Sequence, residues 1–525
     1  MENEHKGLYL LKKGRRGLMR VLFSRFFLLL LLIGFQIAML AALLLWLQRF
    51  IPGYLTFSSL FTTAMVIYLI NSRIDPTAKI TWMAVILAAP VPGSLLLLFT
   101  KADVGHRALK RQHMYHLQKS ADAIPQSAAV MEHLTEVSPE SAELVHYIAR
   151  TGCFRAFDRT EAEYLPSGEA KFDALLRELE RAEKFIFMEY FIIREGHMWG
   201  RVLEVLAKKA AEGVEVRVMY DGRCEFAFLP HNYPRRLEAL GIRCRVFAPL
   251  APFVSTHYNY RDHRKIVVID GRVGFTGGVN LADEYINREK RFGHWKDASV
   301  LLRGEAVRGL TLMFLQMWYT YDPEPEKNAA AYLTADSAAP ADAEGFVVPY
   351  SDCPLDGEKV GERVYMDILE RARRYVHIMT PYLILDQELE AALIFAAKRG
   401  VEVSIVLPGI PDKPIPYALA YTHYAPLLEA GVKIFEYTPG FVHAKVFVSD
   451  DKCAVVGTIN LDYRSLYHHF ECAAYLCRTP CVADIERDFQ ETLPLCRRIT
   501  PESMKQEKFG RKLTGVLMKV FAPLL

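Results

Sequence analysis

The chain has 525 residues, 51% of them hydrophobic, and 64 basic against 61 acidic side chains give a formal charge of +3. That balance excludes a disordered polyelectrolyte and a polyanion-binding tail, and the length accommodates two ordinary domains or more. A mean hydropathy of +0.07 is high for a soluble enzyme of this size and points to apolar residues concentrated in one region.

That region is the front of the chain. Residues 1–25 carry Lys6, Lys12, Lys13, Arg15, Arg16, Arg20 and Arg25 against Glu2 and Glu4, a local balance of +5 that leaves −2 for everything after it. Phe26 to Leu47 is a 22-residue apolar run interrupted only by Gln36, long enough to cross a bilayer core of about 30 Å as a helix. It ends without a small-residue cleavage site, so it reads as an uncleaved anchor rather than a signal peptide. Two further apolar stretches follow, 54–70 and 80–100, the second broken by Pro90, Pro92 and Gly93. The basic N terminus favours the cytoplasm. Three full spans would then place the remainder outside. Lys101, Arg107, Lys110, Arg111 and Lys119, together with nine cysteines in no metal-binding spacing that read as reduced thiols, favour a cytosolic body. A re-entrant segment or a non-spanning one reconciles the two, so the expectation is a multi-pass cell-membrane protein whose catalytic part faces the cytosol.

From about residue 115 helical and strand-like stretches alternate, the mark of an α/β layered domain. Helix over 172–183, strand over 184–193, helix over 201–212 and strand over 214–220 return in the same order as 363–374, 375–384, 389–399 and 401–407. Gly213-Val214-Glu215-Val216 recurs literally as Gly400-Val401-Glu402-Val403. Residues 321–345, rich in Ala, Asp, Glu and Pro, read as an exposed connector. Two α/β repeats packed as a pseudo-dimer behind an α-helical membrane region are therefore predicted. The expected division is a basic N terminus (1–25), a membrane region (26–100), a first unit (115–325), a second unit (346–500) and an amphipathic tail (501–525). In that tail Leu513, Val516, Leu517, Val520, Phe521 and Leu524 fall at helical spacing, which suits an interfacial helix on anionic lipid or packing on the body.

The chemistry lies at matching points of the repeat. His263, Lys265, Asp270 and Asn280 in one half correspond to His443, Lys445, Asp450 and Asn460 in the other, and each Asn follows its His by 17 residues. In a strand, positions two apart share a face, so each His projects with its Lys. Two His, two Lys and two Asn at one point suit a phosphodiester. Ammonium and amide groups hold the non-bridging oxygens, one imidazole attacks phosphorus, and the other moves the proton of the departing and incoming alcohols. Neither a metal nor a cofactor is needed. Each Asp is assigned to turn geometry or to orienting the opposite imidazole, and Gly277-Gly278 to a close passage of backbone by substrate.

The paired HxKxxxxD motifs with trailing GGxN and GTxN resemble the phospholipase D superfamily. Residues 260–265 and 275–286, Met188-Glu189-Tyr190-Phe191, Trp295-Lys296-Asp297, Thr380-Pro381-Tyr382, 457–465 and Phe470-Glu471 resemble its bacterial cardiolipin synthases, over a stretch from about Tyr54 to the C terminus. The resemblance implies transfer of a phosphatidyl group from one phosphatidylglycerol to a hydroxyl of a second, with glycerol as the product. It further implies an active-site set of His263, Lys265, Asp270, His443, Lys445 and Asp450, with His263 as nucleophile. Glu189 and Glu471 also match positions of that family, and read otherwise as strand-end carboxylates. Two other activities stay open: a phospholipase D or phosphatidyltransferase using water or another alcohol, and a nucleic-acid phosphodiesterase. The apolar segments and the −2 body count against nucleic acid as a partner.

Overall fold

The computed structural model describes residues 38, 42, 54–102, 107–230, 232–249, 260–321, 329–333 and 343–524. The first half supplies strands β1 (Thr160–Leu165), β2 (Phe185–Tyr190), β3 (Glu215–Asp221), β4 (Ile242–Phe247), β5 (Arg261–Asp262), β6 (Lys265–Ile269), β7 (Val273–Gly277), β8 (His294–Lys296) and β9 (Ser299–Gly304). The second supplies β10 (Phe346–Asp352), β11 (Tyr375–Met379), β12 (Glu402–Pro408), β13 (Lys433–Tyr437), β14 (Gly440–Val442), β15 (Val446–Ser449), β16 (Cys453–Gly457), β17 (His469–Cys477) and β18 (Cys496–Arg498).

The repeat is visible in strand order. One sheet runs β1-β9-β7-β6-β2-β3-β4 and the other β10-β17-β16-β15-β11-β12-β13-β18, the same path with one added edge strand. In each, three parallel strands (β2-β3-β4 and β11-β12-β13) adjoin an antiparallel group. Helices His197–Ala211 and Gln387–Lys398 make the crossovers between the first two parallel strands of each half. Parallel strands covered on both faces read as continuous apolar runs, and every residue of β2 and β11 is buried.

The halves share one core. The helix Val307–Thr320, almost wholly buried, packs against β6 of its own half and β10 of the next. Phe187, Ile266, Phe314, Trp318, Val347, Val376 and Val446 belong to a single cluster. At about 1.5–3 kcal/mol for each fully buried large apolar side chain, such a core holds the two sheets in fixed relation. Two short parallel ladders complete the junction: β8 pairs with β14, and β5 pairs with β17.

Two helices start earlier than predicted, each at a carboxylate cap. The helix predicted over 201–212 begins at His197 because the Asp283 carboxylate accepts from the His197 and Met198 N–H groups at 2.9 and 2.8 Å. The helix predicted over 389–399 begins at Gln387, capped locally by Asp386, which accepts from Leu389 N–H at 2.9 Å. Within the predicted connector a short helix, Ala329–Leu333, is present. The nine cysteines are all unpaired and seven are buried.

The multi-pass membrane reading is corrected. Among the described residues no helix is long and apolar enough to cross a membrane. The segment 80–100 is divided between two 13-residue helices, Pro76–Ala88 and Pro90–Ala102. Each is about 20 Å long at 1.5 Å per residue, against a bilayer core of about 30 Å. Pro90 cannot donate within a continuous helix, so the chain restarts there. The stretch 54–70 forms the helix Tyr54–Asn71, which carries Thr56, Ser58, Ser59, Thr62 and Thr63 among its apolar residues. These three helices pack on one another around Met65, Leu69, Trp82, Ile86 and Leu97. The run 26–47, apart from residues 38 and 42, lies outside the described residues, and the assignment of a cytosolic side falls with the multi-pass reading it belonged to.

In the tail, helix Phe509–Lys519 packs along Pro414–Glu429. Gly515 permits this, since a Cβ there would stand 2.4 Å from the Ala418 carbonyl oxygen. Leu513, Val516 and Leu517 remain exposed.

Candidate active site

Each histidine is held in place by backbone of the other half. The His263 N–H donates to Phe470 O at 2.9 Å and the His443 N–H to Lys296 O at 2.7 Å, so both extend the short inter-half ladders. The side chains cross the same boundary. His263 Nδ1 lies 2.9 Å from Glu471 Oε2, and His443 Nδ1 lies 2.7 Å from Asp297 Oδ2. A carboxylate accepting from Nδ1–H fixes the tautomer that leaves an Nε2 lone pair to react. Both carboxylates are fully buried and both histidines nearly so.

The two carboxylates are positioned differently, which explains why the motifs end in GGxN in one half and GTxN in the other. Thr458 donates its hydroxyl to Glu471 Oε2. Its counterpart Gly278 leaves the space that Asp297 fills, since a Cβ at Gly278 would stand 2.0 Å from Asp297 Oδ1. Gly278 thus serves the Asp297–His443 contact. Asp297 Oδ1 accepts from Ala298 N–H at 2.8 Å, leaving neither oxygen idle.

The lysines donate to the carbonyl oxygens of their own histidines, Lys265 to His263 O and Lys445 to His443 O. One ammonium hydrogen is used in this way and the others are left for a ligand. Aromatic rings enclose the imidazoles. Phe191 stands edge-on to His263 at 4.8 Å between centroids, and Tyr285 stands edge-on to His443 at 5.3 Å.

Burial combined with four cationic or imidazole groups has a clear electrostatic result. Desolvation first, then Lys265, Lys445 and His443, hold His263 well below its ordinary value. Desolvation and Lys445 bring His443 down to about 4, against the opposing pull of Asp297. Burial lowers Lys265 to about 8 and Lys445 to about 7. Burial alone would raise the Asp297 carboxyl, but His443 and Lys445 outweigh it and keep it below the usual carboxylate range. An anion placed between Lys265 and Lys445 would offset their mutual repulsion and favour their charged forms.

The remaining predicted residues divide. Asn280 accepts from Ile192 N–H at 3.0 Å and donates to the Tyr285 hydroxyl at 2.7 Å, reaching His443 through Tyr285. Asn460 is buried with Oδ1 unpartnered. Glu189 pairs with Arg264 Nη2 at 2.5 Å, behind the histidine rather than beside it. Asp270 and Asp450 do not join the imidazoles. Asp270 accepts from the N–H groups of Glu183, Lys184 and Phe185 at 2.7–2.8 Å. Asp450 accepts from those of Arg373, Arg374 and Tyr375 at 2.7–2.9 Å. Both have left-handed backbone, at φ 54° and 56°. Of the two tasks expected of them, turn geometry is the one their contacts serve, at the loops that enter β2 and β11. Asp297 was not among the predicted site residues. Its signal was the Trp295-Lys296-Asp297 match, which carries no hint of the residue it faces.

Asp450→Ala should therefore destabilise the fold by about 2–4 kcal/mol, through three N–H groups left without an acceptor and alanine forced to positive φ. Thermal unfolding checks this. Asp450→Asn should lose less, because asparagine tolerates the left-handed conformation and keeps one acceptor.

Known proteins resemble this arrangement. The family model described as "Cardiolipin synthase, PLD-like domain" matches twice, over residues 175–303 and 365–493. An uncharacterized protein of Streptococcus mutans is 55% identical over 88% of this chain and 99% of its own length. A cardiolipin synthase of Geobacillus kaustophilus is 35% identical over 88% of this chain and 91% of its own length. Among solved structures, phosphatidylserine synthase of Haemophilus influenzae superposes with a TM-score of 0.54 at 15% identity, covering 71% of this chain and 95% of that one, a likeness of fold.

Proposed function

This chain belongs to the cardiolipin synthase family of phospholipase D-like phosphatidyltransferases, and from that membership we propose that it converts two phosphatidylglycerol molecules into cardiolipin and glycerol through a phosphohistidine intermediate. The observation that carries the reading is the reciprocal pairing of His263 with Glu471 and of His443 with Asp297 across the repeat.

In the first step His263 Nε2 attacks the phosphorus of the donor lipid. The P–N bond forms as the P–O bond to the headgroup glycerol breaks, and the departing oxygen takes a proton from His443 Nε2. In the second, His443 removes the proton from a hydroxyl of the acceptor lipid, whose oxygen attacks phosphorus and expels His263. Lys265, Lys445 and Asn460 take the non-bridging oxygens as negative charge builds on them. His443 must arrive protonated for the first step. The anionic phosphodiester supplies the condition, since its charge opposes that of Lys445 beside the ring. Asp270 and Asp450 support this set by holding the strands that carry it. The partners are phosphatidylglycerol and anionic lipid, with no nucleic acid.

Purified protein incubated with phosphatidylglycerol alone should yield cardiolipin and glycerol in equal amounts. Phosphatidic acid without cardiolipin would instead identify water as the acceptor and reject the transferase reading.

A further inference from the structure

His469 stands beside the nucleophile, and no step above uses it. Its ring centroid is 5.4 Å from that of His263, the residue is buried, and neither ring nitrogen has a hydrogen-bond partner. The neighbouring Glu471 Oε1 is also buried and stands 3.5 Å from His469 Nδ1, at the outer edge of hydrogen-bond reach and satisfying neither atom well. One nitrogen of that ring and Glu471 Oε1 thus face the same buried point, and buried polar atoms without partners call for a ligand. His263, His469 and Glu471 each offer a ligand atom to that point, all within 4.8 Å of one another. Ligands around a tetrahedral ion at about 2.1 Å lie about 3.4 Å apart, so modest side-chain rotation closes the set. Two imidazoles and a carboxylate suit zinc, cobalt or nickel rather than magnesium or calcium.

We propose that His263, His469 and Glu471 form a transition-metal site whose occupation switches the enzyme off. The ion would take His263 Nδ1, which now faces Glu471, and the displaced proton would move to Nε2. The imidazole stays neutral, but its reactive lone pair is gone. Inhibition therefore rests on His263 being the nucleophile, whereas binding does not.

Two readouts separate these claims. Titration of the metal-free protein with Co²⁺ should develop, at one equivalent, visible absorption of a low-coordinate His/carboxylate site, and His469→Asn should lack it. Zn²⁺ should inhibit cardiolipin formation reversibly by chelator, and His469→Asn, active without metal, should need about tenfold more Zn²⁺ or above. If His469→Asn is inactive, the Co²⁺ spectrum of that variant and of His469→Gln still decides the site. An unchanged Co²⁺ spectrum in both variants, or none in the parent protein, overturns the site. A His469-dependent spectrum without inhibition overturns the switch, and cardiolipin synthesis that never occurs overturns the proposed function alone.

Discussion

His263→Ala is expected to lower cardiolipin formation by about 10⁴-fold or more, and His443→Ala by about 10²–10⁴-fold, with the fold of both intact. The difference follows from the tasks proposed for them. Removing a nucleophile deletes the only covalent route, whereas removing a general acid and base leaves attack possible at reduced rate. Both rings are nearly buried, each between an aromatic neighbour and a carboxylate partner, so truncation leaves a cavity rather than a chain of broken bonds. The leaving group distinguishes the two variants further. A donor lipid with a p-nitrophenyl headgroup needs no proton to depart, so His443→Ala should release p-nitrophenolate in a rapid single turnover and then stall. His263→Ala should release none.

Asp297→Asn is expected to cost about 10²–10⁴-fold in kcat with little change in KM or in thermal stability. Asp297 accepts through both oxygens, from His443 Nδ1 and from Ala298 N–H. An asparagine amide accepts through only one, so its NH₂ must face one of these groups. If it faces the imidazole, the tautomer inverts, Nε2 carries the hydrogen and the base is lost. Glu471→Gln poses the same problem at the nucleophile, because Glu471 Oε2 accepts from both His263 and Thr458. With the p-nitrophenyl donor the two part again. Asp297→Asn should keep its first turnover, and Glu471→Gln should slow it. A loss confined to stability in either variant would make the carboxylate a packing element only.

Much of this site is legible in the sequence because strand geometry is local. The placement of His263 with Lys265, and of His443 with Lys445, follows from two-residue spacing at the mouth of a strand, and the repeat doubles the signal. What is not legible is what crosses the interface. His263 and Glu471 are 208 residues apart, His443 and Asp297 146, and no periodicity connects them. The aspartates of the motifs show the same limit: turn geometry is one of the two tasks expected of them, but the segment each one holds is not legible. Asp270 sits seven residues from its histidine yet reaches back 85 to 87 residues to the loop before β2. The helix start at His197 likewise depends on Asp283. At 80–100 the cause is different: apolar composition continues across Pro90, which divides the segment into two short helices.

The central claim, that the halves divide one double displacement between them with the covalent step on His263, is tested most directly by peptide mapping of His443→Ala quenched after reaction with the p-nitrophenyl donor. A phosphatidyl adduct on the peptide containing His263, absent from His263→Ala, is the predicted result. An adduct on His443 in the Asp297→Asn variant, or full single-turnover release with no adduct on any histidine, would contradict it.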